Sequence, residues 1–170
     1  MNKIQIIQKK FTKTEAKVVQ KEIRQVPDIT GYSIRELLNL KTVFKAFVLN
    51  EFAGACANFD FGKNWAELSA YIVFAKHRGQ GIGKLLFQAA HKDAIGRGKN
   101  IYILSRNPAM IKIFKREDFT IVNSFWKLPI EVITHEVIFA VSDLYRVKEF
   151  FRKLLVKKSG KFIFGIKMAA

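Results

Sequence analysis

A chain of 170 residues with 49% hydrophobic composition is long enough for one domain with its own core, and its single cysteine, Cys56, excludes an internal disulfide framework. Thirty Lys and Arg against 14 Asp and Glu leave a net charge of +16, which favours anionic partners such as nucleotides or nucleic acid over polycationic ones. No run approaches the roughly 20 apolar residues of a membrane span, and the opening MNKIQIIQKK lacks a secretory signal, so a soluble, cytoplasmic protein without membrane attachment is expected.

In chain order, KIQII reads as a first strand and FTKTEAKVVQKEIRQV as a helix, opened by a capping box of Thr12 with Glu15 three residues later. Ser33 and Glu36 announce a second helix in the same way, after the turn-rich PDITG. The period then changes to strands, and VFKAFVLN, ACANFDF and WAELSAYIVFA are expected to form an antiparallel meander. Alternation along the third of these sets Glu67, Ser69, Tyr71 and Val73 on one face and Leu68, Ala70, Ile72 and Phe74 on the other. Leu85, Leu86, Ala89, Ala90 and Ile95 mark a helix that GRGKN stops, and IYILS is a short buried strand. RNPAMIKIFKRED is helical again, with Asn107 as cap and Pro108 at the first helical position, and FTIVNSFWKL returns to strand. PIEVITHEVIFAVS keeps a helical spacing through Ile130, Ile133, Val137 and Val141. DLYRVKEFFRKLLVKKSG is a basic amphipathic helix with Leu144, Val147, Phe151 and Leu154 along one side, and KFIFGIKM closes as a strand. No linker or repeat interrupts the chain, so residues 1–170 read as one domain.

Between the third strand of the meander and the following helix lies HRGQGIGKLL. Glycines at 79, 81 and 83 leave backbone N–H groups uncovered at a helix entrance, a combination that binds phosphate. A Walker loop would need glycine at 78 and Ser or Thr at 85, where Arg78 and Leu85 stand. A dinucleotide fingerprint would need its third glycine at Lys84 and an acidic residue near the end of IYILS. What remains is R-x-x-G-x-G, written by Arg78, Gly81 and Gly83.

AELSAYIVFAKHRGQGIGKLLFQAA followed by NPAMIKIFKREDF resembles the GNAT superfamily of acyl-CoA-dependent N-acyltransferases, across roughly residues 1 to 125. The resemblance implies an α/β (α+β) fold with a mixed, mostly antiparallel central sheet flanked by helices, here with a helical insertion at 129–159 before the last strand. It further implies acetyl-CoA as co-substrate and no metal. The pantetheine arm would pair with Ile72, Val73 and Phe74 in a gap between the fourth and fifth strands. Residues Arg78, Gly79, Gln80, Gly81, Ile82, Gly83 and Lys84 would hold the phosphates, and Asn107 would approach the pantetheine as well as cap its helix. Phe114 stands in the coenzyme set where relatives commonly carry a tyrosine that protonates the departing thiolate, and phenylalanine has no proton to give. Asp118 replaces the glycine usual before the closing phenylalanine.

The implied reaction is direct attack of a primary amine, on a small molecule or peptide, upon the thioester, with Glu67 as the base that accepts its proton. Tyr32, Trp65, Tyr71, Phe125 and Trp126 are candidates to line the acceptor site. His77, His91 and His135 show no metal-ligand spacing, and Cys56 reads as a small buried residue. The insertion either covers the acceptor cleft or forms a dimer contact, so the protein is a monomer or a homodimer. Two other functions are open: acetylation of an aminoacyl-tRNA, for which a helix bearing Arg146, Lys148, Arg152, Lys153, Lys157 and Lys158 would suit RNA phosphates, and a non-catalytic acyl-CoA-binding module.

Overall fold

Two capping boxes start the helical part of the fold where the spacing predicted them. In the computed structural model, which describes residues 3–154 and 161–169, the Thr12 hydroxyl accepts from the Glu15 amide at 3.2 Å while the Glu15 carboxylate accepts from the Thr12 amide at 2.7 Å. Ser33 and Glu36 repeat the exchange. These caps begin α1 (Lys13–Gln25) and α2 (Ile34–Asn39), which follow β1 (Ile4–Gln8). Then come β2 (Thr42–Val48), β3 (Glu51–Phe61) and β4 (Trp65–Val73), α3 (Ile82–Gly96), β5 (Asn100–Ser105), α4 (Pro108–Arg116) and β6 (Thr120–Val122). The chain closes with α5 (Ile130–Val141), α6 (Leu144–Leu154) and β7 (Ile163–Lys167).

The strands form one seven-stranded sheet in the order β1-β2-β3-β4-β5-β7-β6. Neighbours are antiparallel except β4 and β5, so the sheet is mixed and mostly antiparallel, as expected. One face packs on α3 and α4 through Phe44, Leu68, Leu86, Phe87, Ile103 and Phe114. The other carries α1 and α2 over Val43, Ala55, Ala70 and Ile72, and α5 over Trp65, Tyr102 and Phe164. Burial on both faces makes this a three-layer core that removes apolar area from water on either side of the sheet.

Two features of the sheet open a cleft. The β4–β5 ladder runs only from Trp65 opposite Asn100 to Glu67 opposite Tyr102, after which β5 pairs with β7 alone and the strands diverge. Just there β4 is bulged: Ala57 pairs with Ser69 but Ala55 pairs with Ile72, and Ala70 takes φ +46°. The extra residue reverses the inside–outside alternation. The expected common face of Glu67, Ser69, Tyr71 and Val73 is therefore corrected: Tyr71 and Val73 pack beside Leu68 towards α3, and Ala70 and Ile72 pack towards α1 and α2.

The strand expected over FTIVNSFWKL is shorter: β6 pairs with β7 only from Thr120 to Val122, and a 3₁₀ turn, Phe125–Lys127, follows instead. The two helices of the insertion form where expected, as far as Leu154, but much of their apolar spacing faces solvent. In α5, Val132 and His135 are buried and Ile133 packs against the Trp65, Tyr102 and Phe164 cluster, whereas Ile130, Val137 and Val141 are exposed. In α6, Leu144 is 88% and Phe151 61% exposed, while Arg146 and Glu149 are 1% exposed.

The reason is that α6 docks on α1 and α2 through charge. Arg146 pairs with Glu36 and covers the Phe139 ring at 3.2 Å, and Glu149 is held by Arg152 at 2.7 Å and Arg24 at 3.5 Å. Lys153 donates to the carbonyls of Ile23, Val26 and Ile29 at 2.7–2.8 Å, which caps the C-terminal end of α1 with a cation. Burial lowers the Lys153 ammonium to about 8. Of the six basic residues expected to suit RNA phosphates, Arg146 and Lys153 are consumed in docking, Arg152 is paired, and Lys148 is exposed. Leu154's side chain, Lys157 and Lys158 lie outside the described residues. No helix among the described residues is long and apolar enough to cross a membrane.

Candidate active site

The cleft between the diverging strands has a volume of about 700 Å³ and runs from the glycine stretch to α5. At one end the chain leaves β4, makes a 3₁₀ turn at Ala75–His77 and enters α3 through Gly81. Gly79 and Gly81 take φ of +78° and +81°, a region side chains disfavour, and nothing lies within 4 Å of where their Cβ atoms would stand. A Cβ on Gly83 would come within 3.0 Å of the Tyr71 hydroxyl, which donates to the Gly83 carbonyl at 2.6 Å and so fixes the first turn of α3 against β4. The first N–H groups of α3 have no intrahelical acceptor and carry the positive end of its dipole, flanked by Arg78 and Lys84. This end of the cleft is shaped for phosphate groups.

Of the coenzyme residues expected from the sequence, Ile72, Val73, Arg78, Gly79, Gly81, Ile82, Gly83, Lys84 and Asn107 line the cleft. The rest do not. Phe74 turns into the core and meets Phe52 edge-on at 4.9 Å, and the side chain of Gln80 is exposed outside the cleft. Phe114 is fully buried: its ring stacks on Phe119 at 5.5 Å and would meet a Cβ on Gly165 at 2.8 Å. It is core, and its place in the coenzyme set is corrected. Asn107 caps α4, its side-chain oxygen accepting from the Ala109 amide at 2.9 Å.

At the other end Glu67 is buried where β4 and β5 part. The Nε2–H of His135, from α5, donates to Glu67 Oε2 at 2.8 Å, and the imidazole lies flat on Phe61 at 3.9 Å with 11° between the planes. Glu136 also faces the cleft, and the donor atoms of Glu67, His135 and Glu136 lie within 4.8 Å of one another. Burial, then the nearby Glu67 charge, pushes the Glu136 carboxyl up to about 7. Tyr102 adjoins it, and burial raises that phenol far above its ordinary range. Of the aromatics expected at the acceptor site, Tyr32 lines the cleft and Tyr71 lines it at the glycine end, whereas Trp65 is core, Trp126 is exposed and neither it nor Phe125 reaches the cleft.

His135 and Glu136 escaped the sequence reading. They sit 68 and 69 residues beyond Glu67, and only the docking of α5 on the sheet turns them inward. Read singly, His135 showed no metal spacing; its actual partner is a carboxylate on a distant strand.

The Glu136 carboxyl carries a pH prediction. It keeps its proton in the folded protein after the unfolded chain, near 4.5, has lost it, so the native state binds more protons and stability falls as pH rises from about 4.5 to about 7. The groups facing it are Glu67, His135, Tyr102 and Arg146. Thermal melts of the ligand-free protein should show Tm falling across this interval, and falling less in Glu136→Gln. Parallel curves for the two proteins would contradict the assignment.

Residues 15–119 match the sequence profile described as the Acetyltransferase (GNAT) family. A search of curated proteins by sequence finds no match. Among solved structures, the chain resembles Rv2747 from Mycobacterium tuberculosis in complex with CoA, with TM-score 0.68 and 11% identity over 96% of this chain and 99% of that one. It also resembles the acetyltransferase of GNAT family from Streptococcus pneumoniae, with TM-score 0.62 and 16% identity over 99% and 100% of the two chains. N-acetylglutamate synthase from Neisseria gonorrhoeae, complexed with coenzyme A and N-acetyl-glutamate, aligns with TM-score 0.68 and 15% identity over 98% of this chain, which spans 35% of that protein.

Proposed function

The chain belongs to the acetyltransferase (GNAT) family, and from that premise we propose that it transfers the acetyl group of acetyl-CoA to a primary amine by direct attack in this cleft. The observation that carries the reading is the bare-backbone entrance of α3 opening into the gap between β4 and β5, with a buried carboxylate at the gap's far end. Arg78, Gly79, Gly81, Gly83 and Lys84 bind the coenzyme phosphates through backbone amides and charge, and the edge of Ile72 and Val73 guides the pantetheine. That the similarly folded Mycobacterium and Neisseria proteins form complexes with coenzyme A supports coenzyme A as the co-substrate.

In the transfer the amine nitrogen forms a bond to the thioester carbon, the carbon–sulfur bond breaks, and coenzyme A departs as thiolate. The amine's surplus proton goes to Glu67, directly or through a water, and solvent supplies the proton that the thiolate takes up. His135 is a positioning residue, since its Nε2–H fixes one Glu67 oxygen and leaves the other for the proton. Phe114, buried in the core, donates no proton, and a thiolate leaves without an acid more readily than an alkoxide or amide would.

Acetyl-CoA at about 100 times its dissociation constant should stabilise the native state by about 2.7 kcal/mol, which for a domain of this size raises Tm by about 5–10 °C. Gly81→Val should remove most of that shift, because a β-branched side chain strains at φ +81° and covers the phosphate-facing amides. Wild-type protein whose Tm does not move with millimolar acetyl-CoA would overturn the coenzyme assignment.

A further inference from the structure

The charge of the cleft is divided. Its lining cations, Arg78 and Lys84 with His77, stand at the glycine end. At the acceptor end two carboxylates, Glu67 and Glu136, lie within 4.8 Å of one another among aromatic rings. A net charge of +16 makes this buried acidic pair the more notable, because the surrounding field is positive. Arg146 acts on Glu136 through its charge and favours the carboxylate, but its guanidinium pairs with Glu36, covers Phe139 and does not line the cleft. Two like charges this close in a dry site are stable only with a proton or a cation between them.

We propose that Glu136, supplied by α5, is an acceptor-recognition residue, and that the site takes an alkylammonium with no carboxylate beside the amine. The inference rests on the acetyltransferase reading and names the substrate class for that site. An aliphatic amine is protonated near neutral pH and enters as a cation. Glu136 holds the ammonium while Glu67, fixed by His135, receives the proton that must leave before the nitrogen can attack. One carboxylate thus remains charged when the other becomes neutral, so recognition and proton removal do not compete for the same group. An α-amino acid fits poorly, because its carboxylate would lie a few ångströms from Glu67 and Glu136 with no lining cation to meet it. A neutral aromatic amine gains nothing from the pair.

The test uses putrescine, glutamate and aniline as probes with wild type and Glu136→Gln, reading amine binding by calorimetry in the presence of coenzyme A and turnover by thiol release from acetyl-CoA. Putrescine should bind wild type and exceed glutamate in kcat/KM by about 100-fold or more. Glu136→Gln should raise the putrescine Kd and KM by about tenfold or more, change kcat less, lower the putrescine kcat/KM far more than any aniline rate, and leave the acetyl-CoA melting shift as in wild type. Preference for glutamate, no putrescine binding at millimolar concentration, or equal putrescine constants in the two proteins would each overturn the proposal. So would a tightly bound zinc ion on the three donors whose removal by EDTA abolishes turnover, for then the cation in the site is a metal. A protein that binds putrescine through Glu136 yet shows no acetyl-CoA shift would instead overturn the acetyltransferase reading alone.

Discussion

Glu67→Gln should lower kcat by about 10²- to 10³-fold near neutral pH, the range typical of a lost general base, while leaving acetyl-CoA affinity close to wild type. The substitution keeps the side chain's size and still offers His135 an oxygen to accept its Nε2–H, so the site should keep its shape. What disappears is the carboxylate buried at the point where β4 and β5 part. The deficit should shrink at high pH, where more of the amine arrives unprotonated and less is asked of the base. His135→Ala should produce a smaller loss, about tenfold, because it frees Glu67 to rotate without removing it. Rates for wild type and Glu67→Gln that coincide across the pH range would eliminate Glu67 as the base.

Arg146→Ala should be among the most destabilising substitutions in the chain, costing about 3 kcal/mol and lowering Tm by about 6–12 °C. Arg146 is 1% exposed, pairs with Glu36 and stacks on the rings of Phe139 and Tyr32 at 3.2 and 5.1 Å. Truncation leaves Glu36 without its cation and opens a gap between α6, α2 and α5. Because Phe139 and Tyr32 both line the cleft, the KM for the amine should rise while the acetyl-CoA melting shift persists. A Tm within about 2 °C of wild type would show that α6 is held by something other than this charge contact.

The parts of the fold legible in the sequence are those whose signal is local. Thr12 with Glu15, Ser33 with Glu36, and Asn107 before Pro108 each state a helix start within four residues, and the structure places each cap there. Gly79, Gly81 and Gly83 likewise state a backbone conformation, and two of them adopt the positive φ that only glycine takes readily. Faces were harder. A helical period in α6 separates Leu144 and Phe151 from Arg146 and Lys153 but does not say which side is buried. Here the polar side docks, because α1 ends in unpaired carbonyls and α2 presents Glu36. The bulge at Ala70 was invisible for another reason: alternation assumes an uninterrupted ladder, and one extra residue reverses everything after it. Glu67 was legible through the family's pattern, whereas His135 and Glu136 belong to an insertion that the pattern does not contain, and only tertiary packing joins them to β4.

The central claim is that this cleft moves an acetyl group from coenzyme A to an amine. Purified protein incubated with acetyl-CoA and putrescine, followed by mass spectrometry of the amine and titration of free thiol, tests it directly. One N-acetyl product for each thiol released, at a rate that Glu67→Gln depresses, is the predicted result. Acetyl-CoA binding without amine-dependent thiol release, over putrescine, lysine peptides and other alkylamines alike, would contradict it.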